Sequence, residues 1–246
     1  PKYIKYLYSL LSSITTNDQK IPVHVRLINS TSCVAREIER RHKNVMIQHD
    51  QFEDQNTQLI NHQGPHITRG IKYLLSRHRK EVWGVYTLEA FYSCMIKYDT
   101  ICHLLNTYGN VVYVDVDTIV RGSISSNINE VRGFDMGLYF DKKIDSFPHA
   151  GLIAANNSDK TKNCMRNMSK YFEQAISSGD VKIGEGDGDR LYSNCVNTLM
   201  SVCRLSDKWK DEGHEFQDSS IMWSGRSERK HENKQYIQEY EKYLNK

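Results

Sequence analysis

Residues 111–120 read Val-Val-Tyr-Val-Asp-Val-Asp-Thr-Ile-Val. A continuous run of β-branched and aromatic residues suits a strand covered on both faces, the kind found in sheets flanked by helices. This run drives straight into two carboxylates, Asp115 and Asp117. In open α/β sheets, ligands bind at the carboxyl ends of the strands, so the two acids stand where a ligand is expected. Acids spaced i, i+2 at a strand end can reach one hard divalent cation once the chain turns. Such a cation keeps positions open for substrate phosphates. The same acids could also act only as a turn former or helix cap. Asp-x-Asp is short enough to occur by chance, and the strand ahead of it is what raises the metal reading.

The rest of the chain alternates helix and strand patterns, which predicts an α/β fold with a mostly parallel sheet. Ile4, Leu7, Leu11 and Ile14 recur at helical spacing, so a helix is expected over residues 1–14. Sheets of this kind usually open with a strand, and a strand missing upstream is therefore expected. Strands are read at 23–28 and 45–47, with a helix at 33–42 between them. Residues 48–64 read as a polar loop, 67–78 as a helix with a basic face, and 87–105 as a buried helix. Lys97 lies on that last helix and is read as solvated. Further strands are expected at 133–140, 149–155 and 221–223, and helices at 159–177 and 191–202. Residues 221–246 read as a last strand, a basic loop and a surface helix.

With 246 residues and 39% hydrophobic content, the chain fits one α/β domain spanning 1–246. A net charge of +3 is too mild for a nucleic-acid binder, and none is expected as a partner. No apolar run is long enough for a membrane span. The six cysteines form no CxxC pair and no zinc spacing. They read as reduced thiols in a cytoplasmic protein. The sequons at Asn29, Asn156 and Asn167 are taken as chance matches.

Three features converge: the acidic pair, a later acidic stretch with Asp187 and Asp189, and a basic loop with Arg226, Arg229 and Lys230. A metal-bound diphosphate needs the first, a polyol can hydrogen-bond to the second, and a leaving phosphate is stabilised by cations such as the third. No P-loop, dinucleotide fingerprint, GxSxG or HExxH is present.

The stretch 111–120 resembles the Asp-x-Asp strand of the GT-A nucleotide-sugar glycosyltransferases. It is most similar to the glycogenin and lipopolysaccharide-galactosyltransferase group. That group continues with an Asn-Ala-Gly strand, an Asp-Gln-Asp motif and a late His-x-x-Gly-x-x-Lys loop. Here the corresponding residues are His149-Ala150-Gly151, Asp187-Gly188-Asp189 and Met222-Trp223-Ser224-Gly225. Met222 stands where the family has its metal-binding histidine, and His214, His231 or water is the candidate to replace it. The resemblance implies a GT-A, Rossmann-like domain, with a mostly parallel central sheet flanked by helices. It implies a hexosyltransferase moving a sugar from a nucleotide-sugar donor, a UDP-sugar being favoured, to a glycan or other hydroxyl acceptor, with retention. Asp115 and Asp117 would hold Mn²⁺ or Mg²⁺. Tyr113, Ala150, Gly151, Gly225, Arg226 and Lys230 would line the donor site. Asp187 and Asp189 would act on the sugar.

Two rivals stand beside this reading. A phosphatase of the haloacid-dehalogenase kind also carries Asp-x-Asp at a strand end, but in its first strand and with a different residue after the second acid. An inactive sugar- or partner-binding domain on the same scaffold would account for the lost His, Gln and Asn.

Overall fold

The computed structural model describes residues 3–52, 88–140, 148–178, 187–210, 219–224 and 229–244. The first unit is α1 (Ile4–Asn17), β1 (Val23–Ile28), α2 (Ser32–Arg41) and β2 (Val45–Asp50). β1 and β2 pair in parallel from Val23↔Val45 to Ile28↔Asp50, as a strand–helix–strand order requires. The polar-loop expectation over 48–64 therefore yields its first residues to β2. The helix expected at 67–78 lies outside the described residues.

α3 (Leu88–Leu104) leads into β3 (Asn110–Val114). The strand ends at Val114, just ahead of the acids, as the run before them predicted. Thr118 N–H donates to the Asp115 carbonyl at 3.1 Å, a turn breaks the ladder at Asp115–Asp117, and β4 (Thr118–Val120) continues in another sheet. β4 pairs antiparallel with β8 (Met222–Ser224). The acids thus sit on a hinge between two sheets.

After the short α4 (Ile124–Asn127) and a 3-10 turn at Ile128–Val131 come β5 (Met136–Phe140) and β6 (Pro148–Asn156). β6 lies between β3 and β5 and is antiparallel to both, while β5 pairs in parallel with the short β7 (Val202–Arg204). The expectation of a mostly parallel sheet is corrected here: the pairing is mixed. The link between β5 and β6 is too short for a helical crossover, and a short link dictates antiparallel neighbours.

α5 (Asp159–Ser178) packs on α3, burying Tyr98, Ile101, Leu105, Met165, Met168 and Phe172 with the inner side of the sheet. α6 (Asp187–Asn197) follows, and the chain closes with α7 (Arg229–Glu232) and α8 (Lys234–Leu244). α8 is not the surface helix expected. Tyr236, Tyr240 and Tyr243 recur at i, i+4, i+7 and are buried against Tyr6, Ile119 and Trp223. A Glu- and Lys-rich composition concealed that stripe. Trp223 is fully buried in the core.

All six cysteines are free. Asn156 is committed to structure, its amide donating to the Val131 and Phe134 carbonyls at 2.8 and 2.7 Å. No described helix is long and apolar enough to cross a membrane.

Candidate active site

Asp115 stands at the carboxyl end of β3, and three contacts pin it. Its N–H donates to the Gly151 carbonyl at 3.0 Å. Its Oδ1 accepts from the Tyr113 hydroxyl at 3.0 Å. Its Oδ2 occupies the space of a missing side chain: a Cβ on Gly151 would stand 2.2 Å away. Position 151 must be glycine for the carboxylate to lie there. Burial, followed by the Asp115 charge, holds the Tyr113 phenol well above its usual range, so it stays protonated and donates. Asp117, on the same turn, is half-buried, and its carbonyl accepts from Tyr236 at 2.7 Å. The aromatic stripe of α8 thereby fixes the backbone that carries the acids.

Lys97 is the second anchor, and the solvated role expected for it is corrected. It is buried on α3. Its ammonium makes an ion pair with Asp187, donates to the Ala150 carbonyl at 3.3 Å and lies over the rings of Tyr98 and Tyr113. Burial pushes its pKa down, but the carboxylate of Asp187, with Cys94 and Asp115 behind it, outweighs burial and holds it above the ordinary lysine value. Cys94 also points at Asp187, 3.7 Å from Oδ2, and burial pushes its thiol up to about 12. It is a protonated donor rather than a nucleophile.

A sequence signal for Lys97 exists. It falls on the same helical stripe as Cys94, Tyr98, Ile101 and Leu105, so a lysine on an apolar face required a buried partner.

Asp187 and Asp189 are not in a flexible loop. Both lie in the first turn of α6, where the helix dipole favours carboxylates. Asp187 meets Lys97 and Cys94, and Asp189 is half-buried on the same turn. α6 meets β6 very closely, since a Cβ on Gly188 would stand 2.1 Å from the Pro148 carbonyl. Gly188→Ala is therefore expected to force α6 off the strand, at about 1–3 kcal/mol of stability. A chemical denaturation curve measures it, and an unchanged midpoint would contradict the packing.

A second buried lysine was not foreseen. Lys210 follows the 3-10 turn Asp207–Trp209 and lies 2.9 Å from Nδ1 of His149. An ammonium donating to Nδ1 leaves the ring proton on Nε2. The glycine at 151 also exposes this imidazole to Asp115, since the missing Cβ would be 3.2 Å from Nδ1.

Other expected residues are not brought here. Met222 is fully buried in the core with Val120, Ile124 and Trp209. His231 is exposed on α7. His214, Gly225, Arg226 and the side chain of Lys230 lie outside the described residues. Among the described residues, no group of three His, Cys, Asp or Glu side chains could hold a metal. What remains is the Asp115/Asp117 pair. Carboxylate is the donor type that a hard cation such as Mg²⁺ or Mn²⁺ takes, with its other ligands drawn from substrate oxygens and water. The two acids do not make a closed protein cage. A wide groove of about 790 Å³, lined by Ser126, Glu130 and Lys208 among others, lies apart from these residues.

No family model and no curated protein matches the sequence. Solved structures do match. Mouse xyloside xylosyltransferase 1, apo form, aligns with a TM-score of 0.51 at 9% identity, covering 92% of this chain and 93% of that one. The apo structure of the bifunctional glycosyltransferase WbbM aligns with a TM-score of 0.56 at 13% identity, covering 99% of this chain and 48% of that one. The chain thus spans about half the length of WbbM. At these identities the likeness is one of fold: the chain has a glycosyltransferase fold.

Proposed function

We propose that the chain is a metal-dependent glycosyltransferase, moving a sugar from a nucleotide diphosphate sugar to an acceptor hydroxyl. The carrying observation is the seat of Asp115: a carboxylate laid over Gly151, pinned by Tyr113, two positions before Asp117. Mg²⁺ or Mn²⁺ held by Asp115 and Asp117 would supply Lewis-acid stabilisation of the departing diphosphate. Lys97 adds a fixed positive charge to the same floor. Ala150 and Gly151 have little side chain, so Lys97 and Asp115 pack directly on the β6 backbone beneath the proposed donor.

Asp187 is tied to Lys97, which suits holding a sugar hydroxyl better than taking a proton. That favours retention, with the acceptor proton passing to the departing phosphate. A UDP-sugar is the favoured donor. Arg226 and Lys230 are proposed to cover its phosphates and exclude water.

Asp115→Ala is expected to abolish Mn²⁺-dependent binding of UDP, a loss of about 100-fold or more, equal to about 2.7 kcal/mol. Calorimetry with and without Mn²⁺ measures it, and an unchanged affinity at an unchanged melting temperature would sink the assignment. Met222 in the core favours a second reading, an inactive domain that binds nucleotide sugars. Binding without donor hydrolysis or transfer would select it.

A further inference from the structure

α5 and α6 meet through sulfur. Cys164 lies in the second turn of α5 and Cys195 in the last turn of α6. Their Sγ atoms are 3.9 Å apart, and both side chains are enclosed in the core with Met165, Met168 and Leu191. The other four thiols have different neighbours. Cys33 accepts from the Arg36 guanidinium at 3.5 Å, and Cys94 donates to Asp187. Cys102 donates to the Lys162 carbonyl at 3.7 Å and Cys203 to the Glu130 carbonyl at 3.6 Å.

A cysteine buried alone behaves as a small apolar residue. Two in contact can do more, since a bond needs their sulfurs to come from 3.9 Å to about 2.05 Å. Each sulfur moves by turning about its own Cα–Cβ bond, and the helices need not be taken apart. The hydrogen bond to Cys195, and then burial, hold the Cys164 thiol far above its usual range. The thiolate is the reactive form, so the enclosed pair is inert. The way in is the end of α6. Leu199 ends the helix in the left-handed region, at a φ of 51°, and is exposed. That is a strained conformation for a leucine. The turn around Cys195 is held by Thr198 N–H on the Asn194 carbonyl and Met200 N–H on the Cys195 carbonyl, each at 3.0 Å. Helix ends of this kind open locally far more often than the whole chain unfolds.

We propose that Cys164 and Cys195 are a modification site, a dithiol that a small-molecule disulfide oxidises to a bond clamping α6 onto α5. When the last turn of α6 opens, Cys195 loses its proton and attacks one sulfur of the small disulfide. A mixed disulfide forms, and the other half leaves as a thiol carrying that proton. Before the turn recloses, Cys164 attacks Sγ of Cys195. The Sγ–Sγ bond forms, and the second half leaves as a thiol carrying the Cys164 proton. Two cysteines are oxidised, and one small disulfide is reduced to two thiols. A reducing thiol pool runs the same steps backwards, so the pair follows the thiol–disulfide balance around it.

The clamp bears on the helix that carries Asp187. Asp187 is in the first turn of α6, and its partner Lys97 is on α3, which packs on α5. A bond between α5 and α6 therefore ties the helix of the acid to the helix pair that holds the lysine. It also closes a loop of 31 positions, which removes freedom from the unfolded chain. None of this depends on sugar transfer.

The test is to incubate the folded chain with glutathione disulfide, block the remaining thiols with N-ethylmaleimide in denaturant, and map the peptides without reduction. A peptide pair linked through Cys164 and Cys195 is expected. The melting temperature of the oxidised chain is expected to rise by about 5–10 °C and to fall back with dithiothreitol. Cys195→Ser should show neither the link nor the rise, while Cys203→Ser should show both. The proposal is overturned if both thiols of the parent chain are still blocked by maleimide, or if oxidation stops at a mixed disulfide with glutathione. It is also overturned if the link joins another pair, or if the link forms and the melting temperature does not rise.

Discussion

Lys97→Met is expected to cost about 3–5 kcal/mol of folding stability, because it strands the Asp187 carboxylate without its partner. The pair is well shielded, with side-chain exposures of 7% and 18%, so solvent screening removes little of the effect. Its three polar neighbours cannot replace an ammonium: Cys94 is a weak thiol donor, Tyr113 is committed to Asp115, and the Ala150 carbonyl is an acceptor. At roughly 2–4 °C per kcal/mol for a chain of this size, the melting temperature falls by about 10 °C.

The double variant Lys97→Met with Asp187→Leu is expected to recover most of that stability, since replacing both members of a buried pair is often neutral. It should not recover sugar transfer, because the charged floor is gone. Equal melting temperatures for Lys97→Met and the parent would refute the buried pair. The sign with pH follows from the raised lysine value: the contribution is present below pH 10.5 and is lost only as pH climbs beyond it.

Gly151→Ala is the second large effect. The new Cβ would stand 2.2 Å from Oδ2 and 2.8 Å from Cγ of Asp115, so the carboxylate must leave its seat. It has no easy retreat, since Tyr113 holds the other oxygen and β6 holds the backbone. The expected result is a loss of about 100-fold in Mn²⁺-dependent UDP affinity, together with about 1–3 kcal/mol of stability from overpacking.

Gly137→Ala is the control. Its Cβ would meet Leu205 at 2.7 Å and Val131 at 2.9 Å, core contacts remote from the acids. It should lose stability and keep its affinity. If both variants lose affinity alike, the effect belongs to the sheet and not to the seat of Asp115.

Sequence alone was enough for whatever depends on neighbours a few residues away. β1 was legible at Val23–Ile28 to the residue, because β-branched and apolar side chains fill one short run. The two acids were placed at a strand end by the run ahead of them. Tertiary structure decided what depends on distant partners. Lys97 and Asp187 lie 90 positions apart, and only folding shows that a lysine on a helix meets an acid at another helix's first turn. The same holds for Lys210 and His149, 61 positions apart. The antiparallel entry of β6, the burial of Met222 in the core and the tyrosine stripe of α8 are likewise properties of packing. Periodicity tells which residues share a face. What that face will touch is chosen by chain topology and by the space the other elements leave.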